Sequence, residues 1–205
     1  MNEKEKIENY TTDLFLQSGF YKITMDEIAK GLRISKKTIY KYFPSKNFLV
    51  DAVMQAFMLK VRKKLLKQVA QEDNAILKIK ALTELFAELS LKLNEKMLFD
   101  LQTHRPDLWD SLEKFRGEMI TNVWGGIIDQ GKKEGYIINI PNDIIITVIL
   151  SSVRSVIIPS FLLEHGYSLN KAFNITFDIL INGILTAEGL KIYKTTERES
   201  KNEKN

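Results

Sequence analysis

The chain has 205 residues, no cysteine and two histidines, His104 and His165, far apart in sequence, so neither a disulfide framework nor a thiolate or histidine metal cluster is expected. The net charge of +4 is small, but the basic residues are concentrated: from Arg33 to Lys67 there are ten, with Asp51 the only acid, a local excess suited to phosphate. The charged opening MNEKEKIENY lacks the apolar core of a secretory signal, which makes the cytoplasm the expected compartment.

Helical periodicity dominates, and the expected fold class is all-α. The first helix is predicted over about residues 3 to 18, with Ile7, Tyr10, Leu14, Phe15 and Ser18 on one face and Gly19 placed for a left-handed stop. Thr24 and Glu27 have capping-box spacing and open a short second helix that ends near Gly31. Leu32 and Ile34 flank a tight turn to a second cap at Ser35, and a third helix follows from about Lys36 to Tyr42. Pro44 breaks the pattern, Ser45 caps again, and a fourth helix runs from Lys46 to about Val69. Longer amphipathic helices are predicted near 74 to 92, 95 to 103, 107 to 131, 142 to 164 and 169 to 193. Turn chemistry at Arg105-Pro106, Gly131 to Pro141, and Gly166 with Ser168 separates them. The polar stretch 195–205 is expected to be a flexible tail.

Two short helices joined by a tight turn, the second rich in donors, form the pattern of a DNA-reading helix-turn-helix. Ser35, Lys36, Lys37 and Thr38 stand at the amino end of the third helix, where base edges and phosphates are reached. Ile39 and Phe43 face the core, while Tyr40, Lys41 and Tyr42 point outward. Lys46 opens the fourth helix in position for a phosphate.

The run Ile28-Ala29-Lys30-Gly31-Leu32-Arg33-Ile34-Ser35-Lys36-Lys37-Thr38-Ile39-Tyr40-Lys41-Tyr42-Phe43-Pro44-Ser45-Lys46 closely resembles the DNA-binding signature of the TetR (tetracycline-repressor) family, and the resemblance covers about residues 5 to 55. It implies a helix-turn-helix domain over 1–50 and a helical ligand-binding and dimerisation domain over 51–194. It further implies a homodimer through about 142–164 and 169–193, and a repressor released from a near-palindromic operator when a small molecule fills its second domain. By position, Thr38, Tyr40, Tyr42 and Lys46 match the family's usual DNA contacts, and Thr24 its second-helix cap beside the phosphates. Where the family's turn usually has glycine this chain has Arg33, so the turn is expected either to change geometry or to turn Arg33 towards phosphate.

In isolation the lysines of the third helix read as a solvated face; the two caps, the turn, Tyr40 and Lys46 tip the reading to DNA. The Lys60 to Lys67 cluster reads as ordinary helix surface. Candidate lining for a ligand cavity is Met97, Phe99, Trp109, Phe115, Met119, Trp124 and Phe161, with His104, Asn122 or Arg154 as polar contacts, although such stripes are more often core. Arg154, in an apolar helix, is expected to pair across a subunit interface ahead of binding a ligand or Glu164. Gly125-Gly126 signals close helix approach, a kink or room for a ligand. Ile144 to Leu163 is long enough to cross a bilayer, but an arginine near its centre would cost about 2.5 to 3.5 kcal/mol, and a buried or subunit-interface helix is the expectation. No cofactor, metal or catalytic motif is present in the sequence, and no enzymatic role is expected.

Overall fold

The structure, a computed structural model, describes residues 2–202, with side-chain surroundings as far as Thr196. In chain order the helices are α1 (Glu3–Ser18), α2 (Met25–Leu32), α3 (Lys36–Tyr42), α4 (Lys46–Gln71), α5 (Ala75–Lys92), α6 (Glu95–His104), α7 (Pro106–Met119), a π-helical segment (Ile120–Trp124), α8 (Gly125–Lys133), α9 (Asn142–Val156), α10 (Pro159–His165), α11 (Leu169–Ile184) and α12 (Ala187–Asn202). Among the described residues the extended pairing is a lone antiparallel bridge between Ile137 and Leu185, so the chain is all-α as expected.

Two compact units emerge. The first joins Met1–Val61 to Lys92–Glu113, and the second joins Arg62–Leu91 to Lys114–Asn205. Compactness thus groups α6 and the start of α7 with the first three helices, a different division from the functional one drawn at residue 50.

In the first unit α1 starts on a capping box, Asn2 accepting from the Glu5 amide and Glu5 from that of Asn2. Its buried residues are Ile7, Thr11, Phe15 and Leu16, so the inward face lies one position round from the predicted one and Ser18 is exposed. Ile28 of α2, Ile39 of α3, Leu49 of α4 and Leu98 of α6 are buried in the same unit, each large apolar side chain contributing about 1.5 to 3 kcal/mol. Gly19 ends α1 at φ 74°, ψ 173°, which is not the predicted left-handed cap. A Cβ there would lie 2.5 Å from Asp100 Oδ2, so a side chain would displace the Asp100 carboxylate as well as strain φ.

The second unit is centred on Ile76, Ile79 and Leu82 of α5, Ile145 and Ile149 of α9, and an aromatic group in which Phe86, Phe173, Phe177 and Trp124 lie ring to ring. Three predicted helices are subdivided here. The 107–131 helix contains the π-helical segment. The 142–164 helix breaks before Pro159, giving α9 and α10 at 61°. The 169–193 helix breaks at Leu185, which turns extended (φ −82°, ψ 144°) to meet Ile137. Thr186 then bonds the Gly135 carbonyl and receives the Gly189 amide, opening α12. α12 continues to Asn202, which carries helix into the stretch expected to be a flexible tail; residues 203–205 lie outside the described part.

No single helix among the described residues is long and apolar enough to cross a membrane; only α9 and α10 taken together pass for length and composition, and they are sharply bent.

Candidate nucleic-acid interface

The helix-turn-helix is assembled by its caps. Thr24 Oγ1 accepts from the Glu27 amide at 3.2 Å while Glu27 Oε2 takes the Thr24 amide at 2.7 Å, which starts α2. Those bonds hold the Glu27 carboxyl below the usual range for glutamate. α2 ends on Arg33 at φ 56°, ψ 41°, with its amide donating to Ala29 and Lys30. The turn therefore keeps the left-handed geometry that favours glycine and places arginine in it, which answers the first expectation for Arg33: the geometry is unchanged. The side chain is exposed. Ser35 caps α3 by accepting the Thr38 amide at 3.0 Å.

On α3, Ile39 and Phe43 are buried, as the sequence predicted, and this fixes which side faces out. Lys37, Tyr40 and Lys41 are exposed and Thr38 is half-buried, so the polar side is continuous with the exposed Ser35 and Lys36. Two residues of α3 are tied to other helices. Lys36 Nζ sits 2.7 Å from Asp26 of α2, which raises its pKa, and Tyr42 donates its hydroxyl to Glu3 of α1 at 3.0 Å. Phosphate contact by either would exchange these partners.

Lys46, at the first residue of α4, is half-buried and donates from Nζ to the Tyr21 carbonyl at 2.7 Å. Burial pulls the ammonium below the ordinary lysine pKa, against Asp100 and Glu27, whose charges favour the protonated form. Beyond it, α4 carries Arg62 paired with Glu118 at 3.0 Å and Lys64 paired with Glu88, so two members of the Lys60 to Lys67 cluster are ordinary paired surface.

Sequence reasoning missed the residues that brace this surface. Asp100 Oδ2 accepts from the amides of both Phe20 and Tyr21 at 2.7 Å, and the His104 ring stacks on Tyr21 with centroids 3.5 Å apart. Arg105 Nη2 reaches Asp51 of α4 at 2.5 Å and Asp107 of α7 at 2.6 Å. No sequence signal links positions 80 residues apart.

The structure does not gather the ten ligand-lining candidates. Met97, Phe99, His104 and Trp109 belong to the first unit, where Met97 is core, Phe99 is exposed and His104 is taken up by Tyr21. In the second unit Trp124 is core with Phe177, Phe115 is half-buried, and Phe161 stacks on His165. Arg154 is exposed on α9, its guanidinium over Gly117. Met119 and Asn122 line an open cleft of about 420 Å³ together with Arg62, Leu66 and Val69 of α4 and with Val123, Gly126 and Ile127. A Cβ on Gly126 would meet nothing within 4 Å, and the pair directly follows the π-helical segment Ile120–Trp124.

Residues 10–53, which span the helix-turn-helix just described, match the family model of bacterial regulatory proteins of the tetR family. Over that segment the chain is similar to the TetR family. Over 183 residues it is 28% identical to the HTH-type transcriptional regulator YvaF of Bacillus subtilis (strain 168), covering 87% of this chain and 93% of that protein. Its fold is that of a TetR transcriptional regulator from Chloroflexus aurantiacus J-10-FL, with a TM-score of 0.67 at 17% identity over 90% of this chain and 96% of that one. A transcriptional regulator from Saccharomonospora viridis, solved in complex with choline, matches with a TM-score of 0.66 at 19% identity, covering 89% and 97%. The matched segment, and the relative that matches along most of the chain, are thus those of transcriptional regulators.

Proposed function

We propose that the protein is a ligand-released repressor that binds a near-palindromic operator as a homodimer in the cytoplasm. Thr24, Arg33, Ser35, Lys36, Lys37, Thr38, Tyr40, Lys41, Tyr42 and Lys46 form its DNA face, residues 1–50 its DNA-binding domain and residues 51–194 its ligand-binding and dimerisation domain. The observation that carries the dimer is the outer face of α9 and α11. These helices pack on each other, yet Ile144 and Val148 on one, and Ile175 and Ile179 on the other, stay exposed, between 46% and 67%. Four large aliphatic residues on adjacent helices form an apolar surface that a second copy would cover with its own. Two copies then present two α3 helices to successive major grooves.

Release needs a ligand that prefers the state fitting the operator poorly. The cleft beside α4 supports this: its walls are mostly aliphatic, and α4 is one unbroken helix from Lys46 to the cleft residues Leu66 and Val69. The test is binding of the purified protein to duplex from its own upstream region, with random duplex and rising salt as controls. Selective binding at two protomers per site supports the reading, and equal, salt-erased binding to both duplexes overturns it.

A further inference from the structure

The fourth helix's first lysine has its place set from the sixth helix. Asp100 Oδ2 holds the amides of Phe20 and Tyr21, the His104 ring lies flat on the Tyr21 ring at 9°, and the Tyr21 carbonyl takes the Lys46 ammonium. The same α6 is joined to α1 by the Asn94 amide, which donates to the Leu16 carbonyl at 2.7 Å. Gly19 leaves the space that Asp100 occupies. The loop between α1 and α2 is thus gripped on its amide side by α6, while its carbonyl side aims Lys46.

We infer that Asp100 and His104 are positioning residues for operator binding, acting through the Tyr21 peptide to hold the Lys46 ammonium where a phosphate is met. The inference rests on the DNA face proposed above and adds its control from α6. A lysine whose long stem is fixed by a carbonyl loses less rotamer entropy on meeting phosphate than a free one. Any displacement of α6 moves the Tyr21 peptide, and the ammonium goes with it.

The experiment measures operator affinity against salt for wild type, Asp100→Ala, Asp100→Asn, Lys46→Ala and the Asp100→Ala/Lys46→Ala double variant, together with the side-chain ammonium NMR signals of the free proteins. Asp100→Ala is expected to weaken binding about tenfold near physiological salt and to lower the salt slope by about one, as Lys46→Ala does. The double variant is expected to bind no more weakly than Lys46→Ala alone. Asp100→Asn, which keeps an acceptor for both amides, is expected to recover most of the loss. If Asp100→Ala does not fold, His104→Ala takes its place, since it removes the stacked ring and leaves both amide bonds. Losses that add in the double variant, or an unchanged slope in a wild type that binds, overturn the inference alone. A wild type that binds no duplex overturns the DNA reading and this inference with it. That outcome is distinguished by the Lys46 signal, which would still respond to Asp100→Ala in free protein.

Discussion

The hydroxyl of Tyr42, on the recognition helix, is held by the carboxylate of Glu3 in the first turn of α1, 3.0 Å away and 39 residues earlier in the chain. An acid beside a face meant for phosphate repels the ligand, and it also occupies the donor that the ligand would use. Replacing Glu3 with alanine is therefore expected to tighten operator binding about threefold at low salt, the gain shrinking as salt screens the repulsion. Filter binding or fluorescence anisotropy over a salt series checks this; weaker binding by a folded Glu3→Ala protein would show that the bond orients Tyr42 for DNA.

Arg33 makes a second, local prediction. Its φ of 56° is one that L-residues adopt at a cost of about 1 to 2 kcal/mol, which glycine escapes. Arg33→Gly is expected to unfold at a higher temperature than Arg33→Ala, by about 1 kcal/mol in stability, because alanine keeps the penalty. Calorimetry compares the two directly, and equal midpoints would mean that the turn relaxes without cost. If the exposed guanidinium reaches phosphate, both variants lose about one from the salt slope.

How much of this was legible in the chain differs between the two halves. Up to Lys46 the caps at Thr24 and Ser35, the inward Ile39 and the outward lysines follow from local rules, since each depends on residues within four positions. The second half resisted because its breaks depend on distant partners: Leu185 leaves the helix to meet Ile137, and a Cβ at Gly189 would lie 2.3 Å from the Tyr136 carbonyl oxygen. The ligand-lining candidates failed to converge for a related reason. Aromatic and methionine positions at helical spacing report that a face is buried, not which core buries it, and Met97 and Trp124 became packing in separate units. Asp100 and Tyr21 had no signal, being a single acid and a loop aromatic joined only by the fold.

Acid should weaken the first unit in a defined window. Glu27 is lowered by its bonds to Thr24, and Asp107 by its hydrogen bond to Arg105. A carboxyl with a depressed folded pKa contributes stability above its unfolded value and loses it as pH falls through the folded one. The contribution is thus complete above about pH 5 and fades below the ordinary values, 4.5 for Glu27 and 3.8 for Asp107. The thermal midpoint is expected to fall between about pH 5 and 3, and the Glu27→Gln/Asp107→Asn double variant to show a shallower fall over that range. An identical acid slope in the double variant would assign the loss to other carboxylates.

The apolar face of α9 and α11 allows a test that separates assembly from folding. Ile179 is 67% exposed and Val148 50% exposed, so arginine at either position reaches solvent in the isolated chain without entering its core. In a dimer closed through this face the same arginines meet each other, or an apolar partner, with their charges stripped of water, which is strongly unfavourable at the centre of an interface that must cover about 800 Å² on each copy. Val148→Arg/Ile179→Arg is expected to sediment as a monomer at micromolar concentration, with its helical content and thermal midpoint nearly those of wild type measured under dissociating dilution. Operator affinity should fall steeply, because one recognition helix then binds without its tethered neighbour and loses the effective-concentration gain of about a hundredfold or more. A double variant that remains dimeric would place the interface elsewhere and leave the exposed isoleucines without a second copy to cover them.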